Sequence, residues 1–234
     1  MISVVIPARD EESSIGAIIQ RVKESLVGYP HEIIVVNDYS KDRTEEITKK
    51  ALGNFLNIHL VKTDSPGVGE ALKIGFEKTQ GETIVVVMAD LSDDTFSIPL
   101  MYKKLKEGYD VVCASRYIWG GKRIGCPLWK LFISQSVNAF VRLFTGIPTW
   151  DATNGFKMYS KKVVESIHIE SRGFEVFLEI PLKAYFMGYR ISEIPTIWLS
   201  RKKGKSKFRL PPSILPYMKW VVWGLSMRFS LFRK

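Results

Sequence analysis

The chain has 234 residues, of which 46% are hydrophobic, 12% aromatic and 25% charged. This composition excludes a disordered chain, and the presence of only two cysteines excludes a disulfide framework or a four-cysteine zinc site. The net charge of +10 comes from residues 200–234, which hold ten basic and no acidic residues. A neutral body with a basic, aromatic tail favours an anionic membrane surface or phosphate ligands as partners, with no nucleic acid.

Short apolar runs alternate with helical patterns along the first half of the chain. Runs rich in β-branched residues predict strands at 2–7, 32–36, 57–62, 83–88 and 109–114. Apolar residues at helical spacing predict helices at 13–27, 43–52, 69–78 and 98–106. This alternation predicts an α/β fold, with a mainly parallel central sheet flanked by helices. Ligands of such sheets bind beyond the carboxyl ends of the strands.

The pattern changes from about residue 116. A glycine-rich basic loop, a helix at 128–144, a loop and short strand, a helix at 174–187, a strand at 190–199 and a basic loop precede a final aromatic helix at 215–232. No run of 18 uncharged apolar residues occurs, so we expect no transmembrane helix. Met1 leads directly into a strand pattern, so we also expect no signal peptide. These features predict a peripheral protein on the cytoplasmic face of a membrane.

Two helical segments have the composition of helices that lie in a membrane interface. Residues 213–234 are the first of these segments and 128–144 the second, and both combine aromatic residues with basic ones. The alternative is that both helices pack on the domain or in an oligomer contact.

Polar clusters follow the first, second and fourth predicted strands. Asp38 and Asp90 each come just past a buried strand, which favours ligand binding over helix capping. For Ser40, Asp42 and Ser92, ligand binding and capping are equally open. Carboxylates at one sheet edge suit a nucleotide with its divalent cation.

Seven motifs in one order carry a family resemblance. They are VIPARDEESSI, VVNDYSKDRT, the turn Gly67-Val68-Gly69, VVVMADLSDD, ASRY, DATNGFKMYS and RKKGKSKF. Together they resemble family 2 glycosyltransferases of GT-A fold, and more narrowly the dolichol-phosphate mannose synthase branch. The resemblance implies a nucleotide-diphospho-sugar transferase fold over nearly the whole chain.

The resemblance implies a donor-nucleotide site. The positions that match it are Pro7, Arg9, Glu11, Asp38, Gly69, Asp90 and Lys207. Arg9 stands where the family usually has Tyr, so contacts to the base or ribose are expected to differ.

A metal site is implied at the counterpart of the family's Asp-x-Asp motif. Asp90 matches the last Asp, whereas Met88 replaces the first. We expect Asp90, with Ser92 and Asp93, to hold Mg²⁺ or Mn²⁺ together with oxygens of the donor diphosphate.

The remaining roles concern phosphates. Arg116 follows the fifth strand, where its guanidinium can bind a phosphate, and a surface ion pair is the alternative. The resemblance implies an acceptor-phosphate site at Arg116, Arg123, Lys130 and Ser134. Residues 201–207 resemble a basic loop that closes over the diphosphate, with Arg201 and Lys207 as its main contributors. Asp90, Arg116 and Arg201 are therefore the expected catalytic residues.

The resemblance implies an inverting glycosyltransferase that moves a hexose, with mannose from GDP-mannose favoured, to a polyprenyl phosphate such as dolichyl phosphate. The expected organisation is a GT-A domain at 1–210, with a nucleotide-sugar half at 1–115 and an acceptor half at 116–210, followed by an interface helix at 211–234. Alternatives are UDP-glucose or UDP-N-acetylglucosamine as donor, a non-lipid acceptor, a nucleotidyltransferase, or a non-catalytic binding module.

Overall fold

The computed structural model describes residues 1–53, 57–201 and 210–231. The strands are β1 (Ile2–Ala8), β2 (His31–Asn37), β3 (Ile58–Lys62), β4 (Thr83–Val86), β5 (Val111–Ser115), β6 (Lys122–Ile124), β7 (Lys157–Ser160), β8 (Ile191–Pro195) and β9 (Ile197–Leu199). The helices are α1 (Ile15–Ser25), α2 (Thr44–Leu52), α3 (Val68–Glu77), α4 (Ile98–Lys106), α5 (Leu128–Thr145), α6 (Lys161–Ser166), α7 (Val176–Phe186) and α8 (Leu210–Leu231).

Seven strands form the central sheet in the order β3-β2-β1-β4-β7-β5-β8. All neighbours pair in parallel except β7, which is antiparallel to both β4 and β5. The carboxyl ends of β1, β2, β4 and β5 therefore meet at one edge of the sheet. The predicted mainly parallel sheet flanked by helices is confirmed.

Side chains of each strand alternate between two apolar cores because successive residues point to opposite faces. On β1, Val4 and Ile6 enter the core that also contains α1 and α4, whereas Val5 enters the core that contains α3, α7 and α8. The expected nucleotide half at 1–115 and acceptor half at 116–210 thus share one sheet, since β7 and β8 flank β5.

The predicted strand at 190–199 is wrong as a single element. It divides after Pro195 into β8, which lies in the central sheet, and β9, which pairs in parallel with β6. Proline has no amide hydrogen to continue a ladder, which explains the break there. Strand β6 lies within the segment at 116–127 that was predicted to be a loop.

Helix α8 begins at Leu210, five residues before the predicted start, and packs on α5 and α7. Trp220 and Val221 are buried in the core, whereas Leu215, Val222 and Phe229 are exposed. One face of this helix is therefore part of the folded domain. Among the residues described, no helix is long and apolar enough to cross a bilayer.

Candidate active site

Three loops at the carboxyl edge of the sheet have the same backbone feature. Asp10, Tyr39 and Leu91 are the non-glycine residues with positive φ in the described part of the chain, at 50°, 59° and 62°. They follow β1, β2 and β4, in that order. Left-handed backbone is unfavourable for residues with a Cβ, and such strain concentrates at functional sites. The sharp turns aim the preceding side chains, among them Asp38 and Asp90, at the sheet edge.

The predicted nucleoside carboxylate, Asp38, is buried and held by its neighbours. Its Oδ1 accepts a hydrogen bond of 2.7 Å from the amide of Gly67 and one of 3.5 Å from the Thr63 hydroxyl. Its Oδ2 lies 4.0 Å from Nη1 of Arg9, whose side chain is 43% exposed. Pro7 is buried inside β1. The exposed guanidinium of Arg9 therefore places N–H donors beside the acceptor oxygens of a fixed carboxylate.

Gly69, which is predicted to contact the nucleotide, has a tightly packed position in the structure. It is buried at the start of α3, and its amide donates to the carbonyl of Arg172 over 2.9 Å. A Cβ there would lie 1.9 Å from the carbonyl oxygen of Ser171, so only glycine fits.

Two carboxylates meet one guanidinium at the centre of the edge. Nη2 of Arg201 lies 2.9 Å from Oδ2 of Asp90 and 3.0 Å from Oε1 of Glu11. Burial raises the pKa of Glu11, the Arg201 charge opposes this, and the Asp90 charge adds to it. These carboxylates therefore need a cation between them, a position that the guanidinium fills.

Ser92 and Asp93 surround Asp90 in different ways. The Ser92 hydroxyl and amide both donate to Oδ1 of Asp90, at 2.5 and 3.0 Å, so Ser92 orients this carboxylate and does not cap a helix. Asp93 is buried and accepts the amide of Met88 over 2.9 Å. Burial, followed by the Asp90 charge, raises the pKa of Asp93 to about 7.

The oxygen atoms of Asp90, Glu11 and Ser92 are of the chemical type that binds a divalent cation. Mg²⁺ and Mn²⁺ prefer carboxylate and hydroxyl oxygens, and Asp90 and Glu11 already converge on one cationic group. In the described ranges, no group of three or more His, Cys, Asp or Glu residues has metal-binding geometry.

Arg116 is not free to bind a phosphate with its whole guanidinium. Its Nε and Nη2 each donate to Asp151 over 2.7 Å, and the pair is almost fully buried. The alternative interpretation, a surface ion pair with an acidic residue, is therefore wrong about exposure, because the ion pair with Asp151 is buried.

Two predicted acceptor residues are brought together by a residue that the prediction omitted. The Tyr117 hydroxyl donates to Oγ of Ser134 over 2.7 Å and accepts Nη1 of Arg123 over 3.1 Å. The Arg123 guanidinium also stacks on Trp198, 4.9 Å from the ring centre, and its Nε is buried without a partner. Lys130 is exposed and lies over the ring of Trp129. The resemblance motif ASRY contained Tyr117, but no spacing rule pairs it with Ser134.

The β6–β9 ribbon joins the two parts of the site. The amide of Leu199 donates to the carbonyl of Ser92 over 2.9 Å, and the amide of Ser200 donates to the carbonyl of Ile124 over 2.8 Å. Arg201 follows directly, which explains how it reaches Asp90. Lys207 and most of the predicted basic loop lie outside the described residues.

The fold has close counterparts among solved structures. A structure described only as a mycobacterial protein aligns with a TM-score of 0.76 at 20% identity, covering 97% of this chain and 75% of the other. Glucosyl-3-phosphoglycerate synthase from Mycobacterium tuberculosis, solved with Mn²⁺, UDP and phosphoglyceric acid, aligns with a TM-score of 0.71 at 18% identity, covering 96% and 77%. These likenesses define the class of fold, GT-A.

The family follows from the sequence comparison. Residues 3–167 match the model of glycosyl transferase family 2, and the chain belongs to this family. It is 30% identical over 212 residues to dolichol-phosphate mannosyltransferase from Pyrococcus furiosus, covering 89% of this chain but 59% of that protein. It is 27% identical over 238 residues to polyprenol monophosphomannose synthase from Mycolicibacterium smegmatis, covering 98% and 89%. The predicted resemblance is confirmed.

Proposed function

We propose that this chain is an inverting glycosyltransferase that moves a hexose from a nucleoside diphosphate donor to a polyprenyl phosphate. The observation that carries the proposal is the contact of Arg201 with Asp90 and Glu11. A bound metal would take the place of the guanidinium between these two carboxylates, and Arg201 would then turn to the diphosphate. The names of the Pyrococcus and Mycolicibacterium relatives support mannose as the sugar and a dolichyl or polyprenyl phosphate as the acceptor.

The reaction needs no general base. An oxygen of the acceptor phosphate, already anionic at neutral pH, forms a bond to the anomeric carbon. The bond from that carbon to the donor diphosphate breaks, and the nucleoside diphosphate leaves with the electron pair. Inversion follows from attack on the side opposite the leaving group. The protein then has to align the two reactants and neutralise the leaving charge.

The described side chains divide these tasks. Asp38, with Arg9 beside it, receives the nucleoside, and Asp90 and Glu11 would hold Mg²⁺ or Mn²⁺ with Ser92 orienting Asp90. The bound metal would neutralise charge on the diphosphate. Arg123, Tyr117 and Ser134 form a polar cluster for the acceptor phosphate, with Lys130 nearby on α5.

A membrane surface would supply the acceptor lipid. Helix α5 has no acidic residue and exposes a row of apolar side chains: Leu128, Trp129, Phe132, Ile133, Val137, Phe140, Leu143 and Phe144. The exposed face of α8 adds Ile214, Leu215, Met218, Val222 and Phe229. Apolar and aromatic faces with basic flanks suit the interface of an anionic bilayer on its cytoplasmic side.

A donor screen tests the proposal. The protein is incubated with GDP-mannose, UDP-glucose or UDP-N-acetylglucosamine, with Mg²⁺ or Mn²⁺, with and without a short polyprenyl phosphate, and nucleoside diphosphate release is measured. We expect release from GDP-mannose that depends on the lipid phosphate.

The other outcomes identify the rivals. Lipid-dependent release of UDP would show that the donor is UDP-glucose or UDP-N-acetylglucosamine and not GDP-mannose. Release of nucleoside diphosphate without the lipid would favour a different acceptor. Release of pyrophosphate would favour a nucleotidyltransferase. No release from any donor by folded protein would favour a binding module.

A further inference from the structure

Residues 170–174, here called the bridging segment, connect α6 to α7 and contact α8. Nε1 of Trp220 donates to Oγ of Ser171 over 2.8 Å, and Trp220 is 1% exposed. The Tyr217 hydroxyl donates to the carbonyl of Phe174 over 2.9 Å. At the exposed end, Nζ of Lys219 lies 2.9 Å from the Glu170 carboxylate. Three neighbouring residues of α8 therefore attach this segment to the C-terminal helix.

A buried carboxylate fixes the backbone of the bridging segment. Glu179, which is fully buried, accepts the amides of Glu170 and Ser171 over 2.7 and 2.8 Å. Its charge is balanced by Lys183, 2.8 Å away, which also binds Glu170. Removing a partner from a buried charge is strongly destabilising, so these contacts hold the backbone of the segment in place.

The opposite side of the bridging segment lies against the turn that enters α3. Gly69 donates its amide to the carbonyl of Arg172, and Gly67 has a φ of 149°. A Cβ on Gly67 would lie 2.7 Å from the same carbonyl oxygen. Gly67 in turn donates its amide to Asp38 over 2.7 Å. Contacts therefore run without interruption from α8 to the nucleoside carboxylate.

We propose that Ser171 and Trp220 are positioning residues for the donor nucleotide. Their hydrogen bond keeps the bridging segment against the Gly67–Gly69 turn, and the turn holds Asp38 in its binding orientation. The inference rests on the proposed function for its ligand, a nucleoside diphosphate. It links the helix proposed to contact the membrane with the pocket proposed to receive the donor, so that displacement of α8 would weaken donor binding.

The test uses the full chain with Ser171→Ala and Trp220→Phe, each of which removes one partner of the hydrogen bond. Ser171→Thr retains the hydroxyl and serves as the conservative rescue. Ser226→Ala is the matched control, because this hydroxyl lies on α8 and bonds only to the carbonyl of Trp223 among the contacts described. Thermal melting checks that each variant is folded.

Two readouts are combined. Amide hydrogen exchange of peptides covering residues 66–72, without nucleotide, reports the turn itself. Calorimetric affinity for GDP and UDP, with the donor KM and kcat, reports the pocket. We expect faster exchange and a rise of about fivefold in Kd and donor KM, with kcat and acceptor KM unchanged, because a net hydrogen bond is worth about 1 kcal/mol. Ser171→Thr and Ser226→Ala should match the wild type.

Unchanged exchange at 66–72 in both variants would overturn the inference. Faster exchange with unchanged nucleotide affinity would also overturn it, because the contact would then be structural only. If the wild type binds neither GDP nor UDP, the proposed function fails, whereas the link from α8 to the turn is still judged from exchange alone.

Discussion

The orientation of single side chains at the sheet edge is set by the residues that they contact. Asp90 is the clearest case, because Ser92 fixes one of its oxygens and Arg201 binds the other. The sequence predicts Asp90 from its place after a buried strand. It does not predict that Glu11 shares the same guanidinium, since that contact depends on where β9 leads the chain.

Replacement of Asp90 tests the metal role. In Asp90→Asn we expect metal-dependent turnover to fall at least about a hundredfold, because loss of one preorganised electrostatic contact costs about 2.7–4 kcal/mol in the transition state. Melting temperature should change little. Asp94→Asn is the matched control, since the Asp94 carboxylate caps a short helix in the same loop. Full activity in Asp90→Asn would refute the role.

The buried carboxyl of Asp93 predicts a pH effect on stability. Its folded pKa of about 7 lies above the ordinary aspartate value of 3.8, so the folded state binds more protons than the unfolded state between these values. The free energy of unfolding should therefore decrease as pH rises from about 4 to 7, by up to about 1.4 kcal/mol per unit. Asp93→Asn should lose this contribution.

The measurement is urea unfolding at a series of pH values, with a chelator present to exclude bound metal. The free energy of unfolding of the wild type minus that of Asp93→Asn should decrease steadily from about pH 4 to 7 and level off above this range. Parallel curves would contradict the buried, proton-binding carboxyl.

At the scale of elements, local patterns predicted the helices and strands of the first half of the chain well. Each strand there corresponds to one apolar run, and each helix to one set of apolar residues at helical spacing. Errors arose where tertiary pairing decided the outcome. Strand β6 is only three residues long, and it forms because β9 lies beside it. Burial of Glu179 within an apolar helix pattern likewise depends on tertiary contacts, since the amides of Glu170 and Ser171 donate to its carboxylate.

Helix α5 allows a test of membrane contact that leaves the core intact. Phe132 and Leu143 are 65% and 70% exposed. Burying one such side chain is worth about 1.5–3 kcal/mol, so Phe132→Asp with Leu143→Asp should lower partitioning onto anionic vesicles at least about tenfold. Val27→Asp is the control, since Val27 is also exposed, at 79%, but lies after α1. Equal sedimentation with vesicles would refute the contact.

Removal of helix α8 is a less informative test of membrane contact. Trp220 and Val221 belong to the core, so removal of α8 would expose apolar surface and remove the contact to Ser171. The expected interface helix at 211–234 therefore does not pack separately from the expected catalytic domain at 1–210.

Across the whole molecule, the shared sheet predicts one cooperative unfolding transition. All six tryptophans lie between residues 119 and 223, whereas Cys113 is buried in β5. In a Cys126→Ser background, tryptophan fluorescence and thiol labelling of Cys113 should give the same urea midpoint. Separate midpoints would indicate that residues 1–115 and the rest of the chain unfold independently.

The antiparallel insertion of β7 between β4 and β5 also has a consequence for biosynthesis. Both neighbours of β5 in the sheet come from later in the chain, at residues 157–160 and 191–195. A growing polypeptide therefore leaves the ribosome with an apolar strand that has no ladder to join until most of the chain has been translated. Unpaired edges of this kind favour aggregation. Slow or interrupted translation after residue 115 should therefore yield nascent chains that depend on chaperones.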